Sequence, residues 1–245
     1  MSMHISQKYH RDGYIIQPDF FSTSMLEEAK DIVQKMENEA EIKEGIWKYF
    51  ENDDNQDSAL IRIENFLDRL PEDFIKNCNK LVETCVGEPV DIFKEKINFK
   101  KSGTGYFAPH QDAQAGWQQY GHSIHHSLGI ALDDCTLENG CLFIAPGRHK
   151  EGLLGENFGP MREDILNEIE WKPLECQAGD VFLFDSFLPH QSQINKTASD
   201  RCVLFLTYNL AREGDGREAY HSDKLNNHPP RIYKEKGKQY RGYVI

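Results

Sequence analysis

Hydrophobic and polar positions along this chain change period near residue 90. Upstream, Leu26, Ala29, Ile32, Val33 and Met36 recur at helical spacing, and Ser22 or Ser24 stands where an N-cap belongs. A second helix is predicted over about 71–86, where Phe74, Ile75, Cys78, Leu81, Val82 and Cys85 share one face. A short strand, GYIIQ, precedes both at 13–17. Downstream the pattern becomes short apolar runs: VDIF at 90–93, EKINF at 95–99, SLGIAL at 127–132, GCLFI at 140–144, DVFLF at 180–184 and CVLFLTYN at 202–209. Turn-forming stretches separate them, among them SGTG at 102–105, ENG at 138–140 and AGD at 178–180. SGTG lacks the helix and lysine of a phosphate loop and reads as a hairpin.

Many short strands after a helical segment predict a mainly β chain with flanking helices, an antiparallel sandwich or barrel. Nothing in the composition demands a second domain. The 245 residues read as one unit: a helical part over about 1–90, a β core over about 90–210 and a polar tail, 211–245, wrapping the outside. Residues 150–172 read as an insertion with some helical pattern. The acidic run at 51–57 reads as a solvated loop, or alternatively a lid.

Composition narrows the partners. Hydrophobic residues make up 39% of the chain, including 14 Phe and 10 Tyr, enough for a sizeable core. The net charge of −12 disfavours nucleic acid and anionic membrane surfaces. No run approaches the roughly 20 apolar residues of a membrane span, and the first eight residues carry no apolar signal core, so a cytoplasmic protein is expected. The six cysteines form no CxxC pair, and several lie in apolar runs; they read as free thiols in a reducing compartment. Nothing in the sequence fixes an oligomeric state.

Candidate chemistry concentrates in three places. In FAPHQDAQAGW, His110 and Asp112 stand two apart, and on a strand both point to one face. A nitrogen and a carboxylate oxygen can then reach one metal ion at about 2 Å each. His190 follows the apolar run at 180–184, with Ser192 just after it. Arg201, eleven residues beyond His190, opens the apolar run at 202–209, where a guanidinium requires an anion or a full set of hydrogen bonds. Asp200 is its nearest candidate partner in sequence. Each feature alone is weak. Together, two histidines and a carboxylate can cover one face of an octahedral metal and leave sites open, the donor set of non-haem Fe(II) oxygenases. A zinc hydrolase on the same three residues remains an alternative. So does a binding module without chemistry.

The His110-x-Asp112, His190 and Arg201 arrangement resembles that of the phytanoyl-CoA dioxygenase family of Fe(II)/2-oxoglutarate oxygenases. So do the blocks FAPHQDAQAGW, LDDCTLENGCLFIAPGRHK and AGDVFLFDSFLPHQSQIN. The likeness runs from about Tyr9 to the end of the chain. It implies a double-stranded β-helix, or jelly-roll, of the cupin-like type. It implies that His110, Asp112 and His190 hold Fe(II). Arg201, with Ser192, would then bind the far carboxylate of 2-oxoglutarate, and Asn98 would face that co-substrate's other end. With O₂ as oxidant, the implied reaction is hydroxylation of an unactivated C–H. Because the carboxylate Asp112 is present, hydroxylation rather than halogenation is implied.

The substrate is harder to read. Lys96 and Asn98 share a strand face; if it points inward, a cation and an amide sit beside the metal and suit a small anion. Otherwise Lys96 is solvated, as Lys100 and Lys101 are expected to be. Gln111, Trp117 and His126 are further candidates for substrate contact, with Trp117 a lid or a core residue and His125 and His126 read first as structural hydrogen-bonders. Within the family the likeness leans towards the branch acting on small polar molecules, 2-aminoethylphosphonate hydroxylases among them. That implies hydroxylation next to phosphorus. Hydroxylation of a secondary metabolite or an acyl-CoA is the alternative.

Overall fold

The computed structural model describes residues 2–43, 45–52 and 58–240. Most of the acidic run read as a loop or lid, residues 53–57, lies outside them. The chain opens with α1 (Ser2–Asp12), β1 (Tyr14–Gln17) and α2 (Thr23–Asn38), then β2 (Trp47–Phe50), β3 (Leu60–Glu64) and α3 (Glu72–Val86). The β core follows as β4 (Val90–Lys100), β5 (Phe107–His110), β6 (His125–Ala131) and β7 (Leu142–Ile144). After the single-turn α4 (Glu163–Leu166) come β8 (Lys172–Leu174), β9 (Val181–Asp185), β10 (His190–Ser192) and β11 (Arg201–Leu210). The tail then forms α5 (Arg217–Asn227).

Local chemistry sets the predicted helices. Ser22 caps α2, its hydroxyl accepting from the Met25 amide at 3.4 Å, and Ala29, Val33 and Met36 are the buried stripe. Pro71 precedes α3, Glu72 and Asp73 sit at its positive end, and Gly87 stops it at φ 88°, a conformation that favours glycine. α1 was not expected. Its sequence is mostly polar, and tertiary contacts hold it: Ser6 donates to the Cys85 carbonyl at 2.9 Å and Tyr9 is buried.

Two antiparallel sheets face each other. The larger runs β1-β9-β6-β11-β4-β3-β2 and the smaller β5-β10-β7-β8. Strand alternation divides the core. On β9 and β11, Val181, Leu183, Leu204 and Leu206 turn towards residues of α2 and α3, including Ala29, Phe74 and Cys78. Phe182, Phe184, Val203 and Phe205 turn inward to meet Ile144 and Leu174 of the small sheet. This is the mainly β jelly-roll with flanking helices. β1, β2 and β3 show that the N-terminal part is not helical alone, since it supplies three strands to the large sheet. The runs at 90–93 and 95–99, read as two strands, form one. Lys94 pairs with Thr207 and Ile92 with Tyr208, so Phe93 is an extra residue that bulges the strand and separates the two patterns. All six cysteines are free thiols. Among the described residues no helix is long and apolar enough to cross a membrane.

Candidate active site

β5 and β10 pair so that His110 stands directly opposite His190. Their ring centroids lie 4.2 Å apart. Asp112 is not on the strand, as the two-residue spacing had implied; it opens a short 3₁₀ turn, Asp112–Ala115, directly after it. The turn still brings its carboxylate round, with Asp112 Oδ1 3.9 Å from His190 Nε2. One ligand atom from each of the three residues lies within 4.8 Å of the others.

Neighbouring groups fix which atoms face that common point. The Nδ1 nitrogens of His110 and His190 lie 2.7 Å from the Ala108 carbonyl and 3.0 Å from the Leu188 carbonyl. Carbonyls only accept, so each Nδ1 carries the proton and each Nε2 keeps its lone pair. Ser127 of β6 donates to Asp112 Oδ2 at 2.8 Å, which occupies one oxygen and leaves the other for the site. Burial, and then His190, pushes His110 down to about 3. Burial also lowers His190, against the pull of Asp112. Burial alone raises the Asp112 carboxyl, but His190, Lys96 and His110 together hold it below the usual carboxylate range. Two neutral imidazoles and one carboxylate is the protonation state that binds a divalent metal, and the donor set fits Fe(II).

The three residues line a cavity of about 260 Å³ between the sheets. Ser192 and Arg201 line it too. Arg201 is buried, with its guanidinium donating to the Gly140 carbonyl at 2.9 Å and the Asn139 carbonyl at 3.3 Å, and lying 3.5 Å from Cys135 Sγ. Asp200 turns elsewhere, to Lys101 Nζ at 3.0 Å and the Ser102 amide at 3.2 Å. Lys100, read as a solvated surface charge, is buried in the same wall. Its ammonium donates to Ser192 Oγ at 2.8 Å, Gln193 O at 2.7 Å and Gly140 O at 3.0 Å. Burial, and then Arg201, pushes it down to about 7. Two cations and a hydroxyl thus meet at one end of the cavity.

The other candidates divide. Lys96 and Asn98 do line the cavity, because β4 turns 96, 98 and 100 inward and packs Ile97 outward. Burial, and then Arg62, pushes Lys96 down to about 8. Gln111, Trp117 and His126 are not among the lining residues. The fully buried Gln111 amide ties its own segment to two distant ones through Gly152 O, Phe187 O and the Leu154 amide. Trp117 packs against Phe93 with the Lys94 ammonium 3.9 Å from its ring centroid. His126 Nδ1 lies 2.6 Å from the Tyr9 hydroxyl. Sequence reasoning missed Arg62, Lys100 and Ser127. A charged residue inside the β-branched run LIRIE was a signal for Arg62; Ser127 carried none.

A sequence profile of the family described as Phytanoyl-CoA dioxygenase (PhyH) matches residues 9–203. The chain belongs to the phytanoyl-CoA dioxygenase family. It is an Fe(II)- and 2-oxoglutarate-dependent dioxygenase, using O₂ as oxidant, and its His-Asp-His cluster has the donor set this chemistry requires. The family's relatives here include a 2-aminoethylphosphonate dioxygenase from the uncultured bacterium HF130_AEPn_1, 35% identical over 94% of this chain and 89% of that protein. A methylphosphonate hydroxylase from Gimesia maris is 33% identical over 89% of this chain and 84% of that protein. Among solved structures, EctD from S. alaskensis with 2-oxoglutarate and 5-hydroxyectoine has the same fold. The TM-score is 0.75 at 22% identity, over 87% of this chain and 77% of that one.

Proposed function

We propose that this dioxygenase hydroxylates the carbon next to phosphorus in a small phosphonate, with 2-aminoethylphosphonate as the first candidate. The observation that carries the reading is the placement of a half-buried cation, Lys96, in the same small cavity as the His-Asp-His cluster, with Arg62 and Asn98 beside it. A chain of net charge −12 that turns arginine and lysine into its cavity is built to receive anions. Two anions are needed, the co-substrate and the substrate, and there are two cationic ends. The two phosphonate-acting relatives support the choice of phosphonate over carboxylate.

In this reading His110, Asp112 and His190 hold the iron. Arg201, Lys100 and Ser192 take the far carboxylate of 2-oxoglutarate by charge-assisted hydrogen bonds, and Asn98 faces its other end. The bound metal, with 2-oxoglutarate and O₂, supplies the oxidant for an unactivated C–H. The protein's own work is to hold that C–H close and to keep water away. Phe182, Phe184, Val203 and Phe205 form the dry wall, and Lys96 with Arg62 grips the anionic head. Glu51, which also lines the cavity, is a carboxylate for the substrate's ammonium. A volume of about 260 Å³ suits small molecules better than an acyl-CoA.

Succinate release tests this reading, with Fe(II), 2-oxoglutarate and a panel of phosphonates, betaines and carboxylates. Release well above the uncoupled background is expected with 2-aminoethylphosphonate or methylphosphonate. Background rates with every phosphonate, alongside turnover of another class, contradict it.

A further inference from the structure

The phosphonate end of the cavity is flanked by a buried charge cluster that the metal chemistry does not use. β3 and β4 pair so that Arg62 faces Asn98 and Glu64 faces Lys96. Glu64 is 2% exposed. Its carboxylate lies 3.4 Å from Arg62 Nη1 and 2.7 Å from Lys224 Nζ. Lys224 arrives from the tail helix, α5, and its side chain is 9% exposed. The same helix is seated by an ion pair between Arg217 and Glu95 and by Tyr220, which is buried beside Phe93 and Trp117. Three cations, Arg62, Lys96 and Lys224, therefore surround one carboxylate, and two of them line the cavity. Lys94 adjoins them on β4, its ammonium pushed far down by burial and by Lys96 and Lys224.

Glu64 has a choice of partners. Its cross-strand neighbour Lys96 is within side-chain reach, since facing residues on paired strands have Cβ atoms about 5 Å apart. Arg62 is two residues away on the same face. Arg62 already shares the carboxylate at 3.4 Å; were Glu64 to take Lys96 as well, the cavity would lose that cation's charge. Lys224 prevents this by meeting both carboxylate oxygens from outside the cavity. We propose that Lys224 is a positioning residue for substrate recognition: it engages Glu64 so that Lys96 keeps its positive charge for the anionic head of the substrate. The polar tail is then part of the active site, although no described tail residue lines the cavity. This inference rests on the phosphonate reading only for the identity of the anion. A clamp that merely fixes α5 is the competing account.

The test is steady-state kinetics of the Fe(II)-loaded enzyme with 2-aminoethylphosphonate and 2-oxoglutarate. The variants are Lys224→Met, Glu64→Gln and the double, with Arg217→Met as a control that loosens α5 elsewhere. Lys224→Met is expected to raise KM for the phosphonate about tenfold or more, leaving kcat and the KM for 2-oxoglutarate within about twofold. Adding Glu64→Gln is expected to bring KM back to within about threefold of the parent, because the released carboxylate is gone. A double variant as impaired as Lys224→Met overturns the inference, and so does an equal rise in Arg217→Met. Should Lys224→Met fail to fold, Glu64→Gln alone decides: an unchanged or lowered KM supports the inference and a raised one overturns it. Should no phosphonate be turned over, the function reading fails on its own. Thermal protection of the iron- and 2-oxoglutarate-loaded enzyme by inorganic phosphate then decides the inference. Protection of the parent and double but not of Lys224→Met supports it; any other pattern overturns it.

Discussion

Ser127 is the clearest residue whose role lies behind the metal ligands. Its hydroxyl holds one oxygen of Asp112 and thereby aims the other at the two imidazoles. Ser127→Ala is expected to weaken Fe(II) affinity by roughly 10–100-fold while the fold persists, since partners that orient ligands typically carry that much. An Fe(II) titration followed by fluorescence or calorimetry measures it; unchanged affinity contradicts the role. At this scale the sequence was informative where chemistry is rare. A histidine, a carboxylate, a second histidine and an arginine in one apolar context stand out. Lys100 did not, because a lysine beside another lysine and a turn looks solvated, and only the inward turn of β4 buries it. Gln111 and His126 misled for the converse reason. Polar side chains near a site are as readily satisfied by backbone and by tyrosine as by substrate.

Element by element, period decides what can be read. α2 and α3 carry several apolar turns each and were legible. β5, β8 and β10 have three or four residues, too few for an alternation to show, yet two of them carry the histidines. The long strands of the large sheet were legible and set the cavity's dry wall. Gly129 on β6 shows how closely that wall is packed. A Cβ there would sit 2.2 Å from the ring of Phe182, a member of the inter-sheet core. Gly129→Ala is expected to push the ring into the cavity. It should cost about 1–3 kcal/mol of stability and lower kcat/KM for substrate. Thermal melts and kinetics check both; a variant as stable and active as the parent contradicts the packing argument.

Across the whole molecule, an acidic chain turns Arg62, Lys96, Lys100 and Arg201 into one cavity, and this is not legible in composition, which shows only a negative total. Burial also sets how stability responds to pH. His125 and His126 are pushed down to about 3, each by burial first and then by neighbouring cationic groups. Unfolding frees them to titrate at about 6.5, so between these values the unfolded chain binds more protons and stability falls as pH falls. Asp185, pushed up to about 7 by burial, works against them, because unfolding releases its proton. His110, also at about 3, and His221, at about 4, add to the two histidines in the metal-free protein, so four groups against one leave a net uptake of about three protons near pH 5. The metal-free protein is therefore expected to lose about 4 kcal/mol per pH unit on acidification through that region. Urea melts from pH 6.5 to 4.5 measure the slope, and a stability that rises on acidification contradicts it.

The central claim is that one inter-sheet cavity brings iron, 2-oxoglutarate and a phosphonate together. The most direct measurement is the stoichiometry of a limiting-oxygen turnover, with succinate quantified beside the phosphorus NMR spectrum of the product mixture. The account predicts about one α-hydroxylated phosphonate per succinate, abolished in His110→Ala and Asp112→Ala. Succinate formed without a new phosphonate resonance, or product formed equally by those two variants, would contradict it.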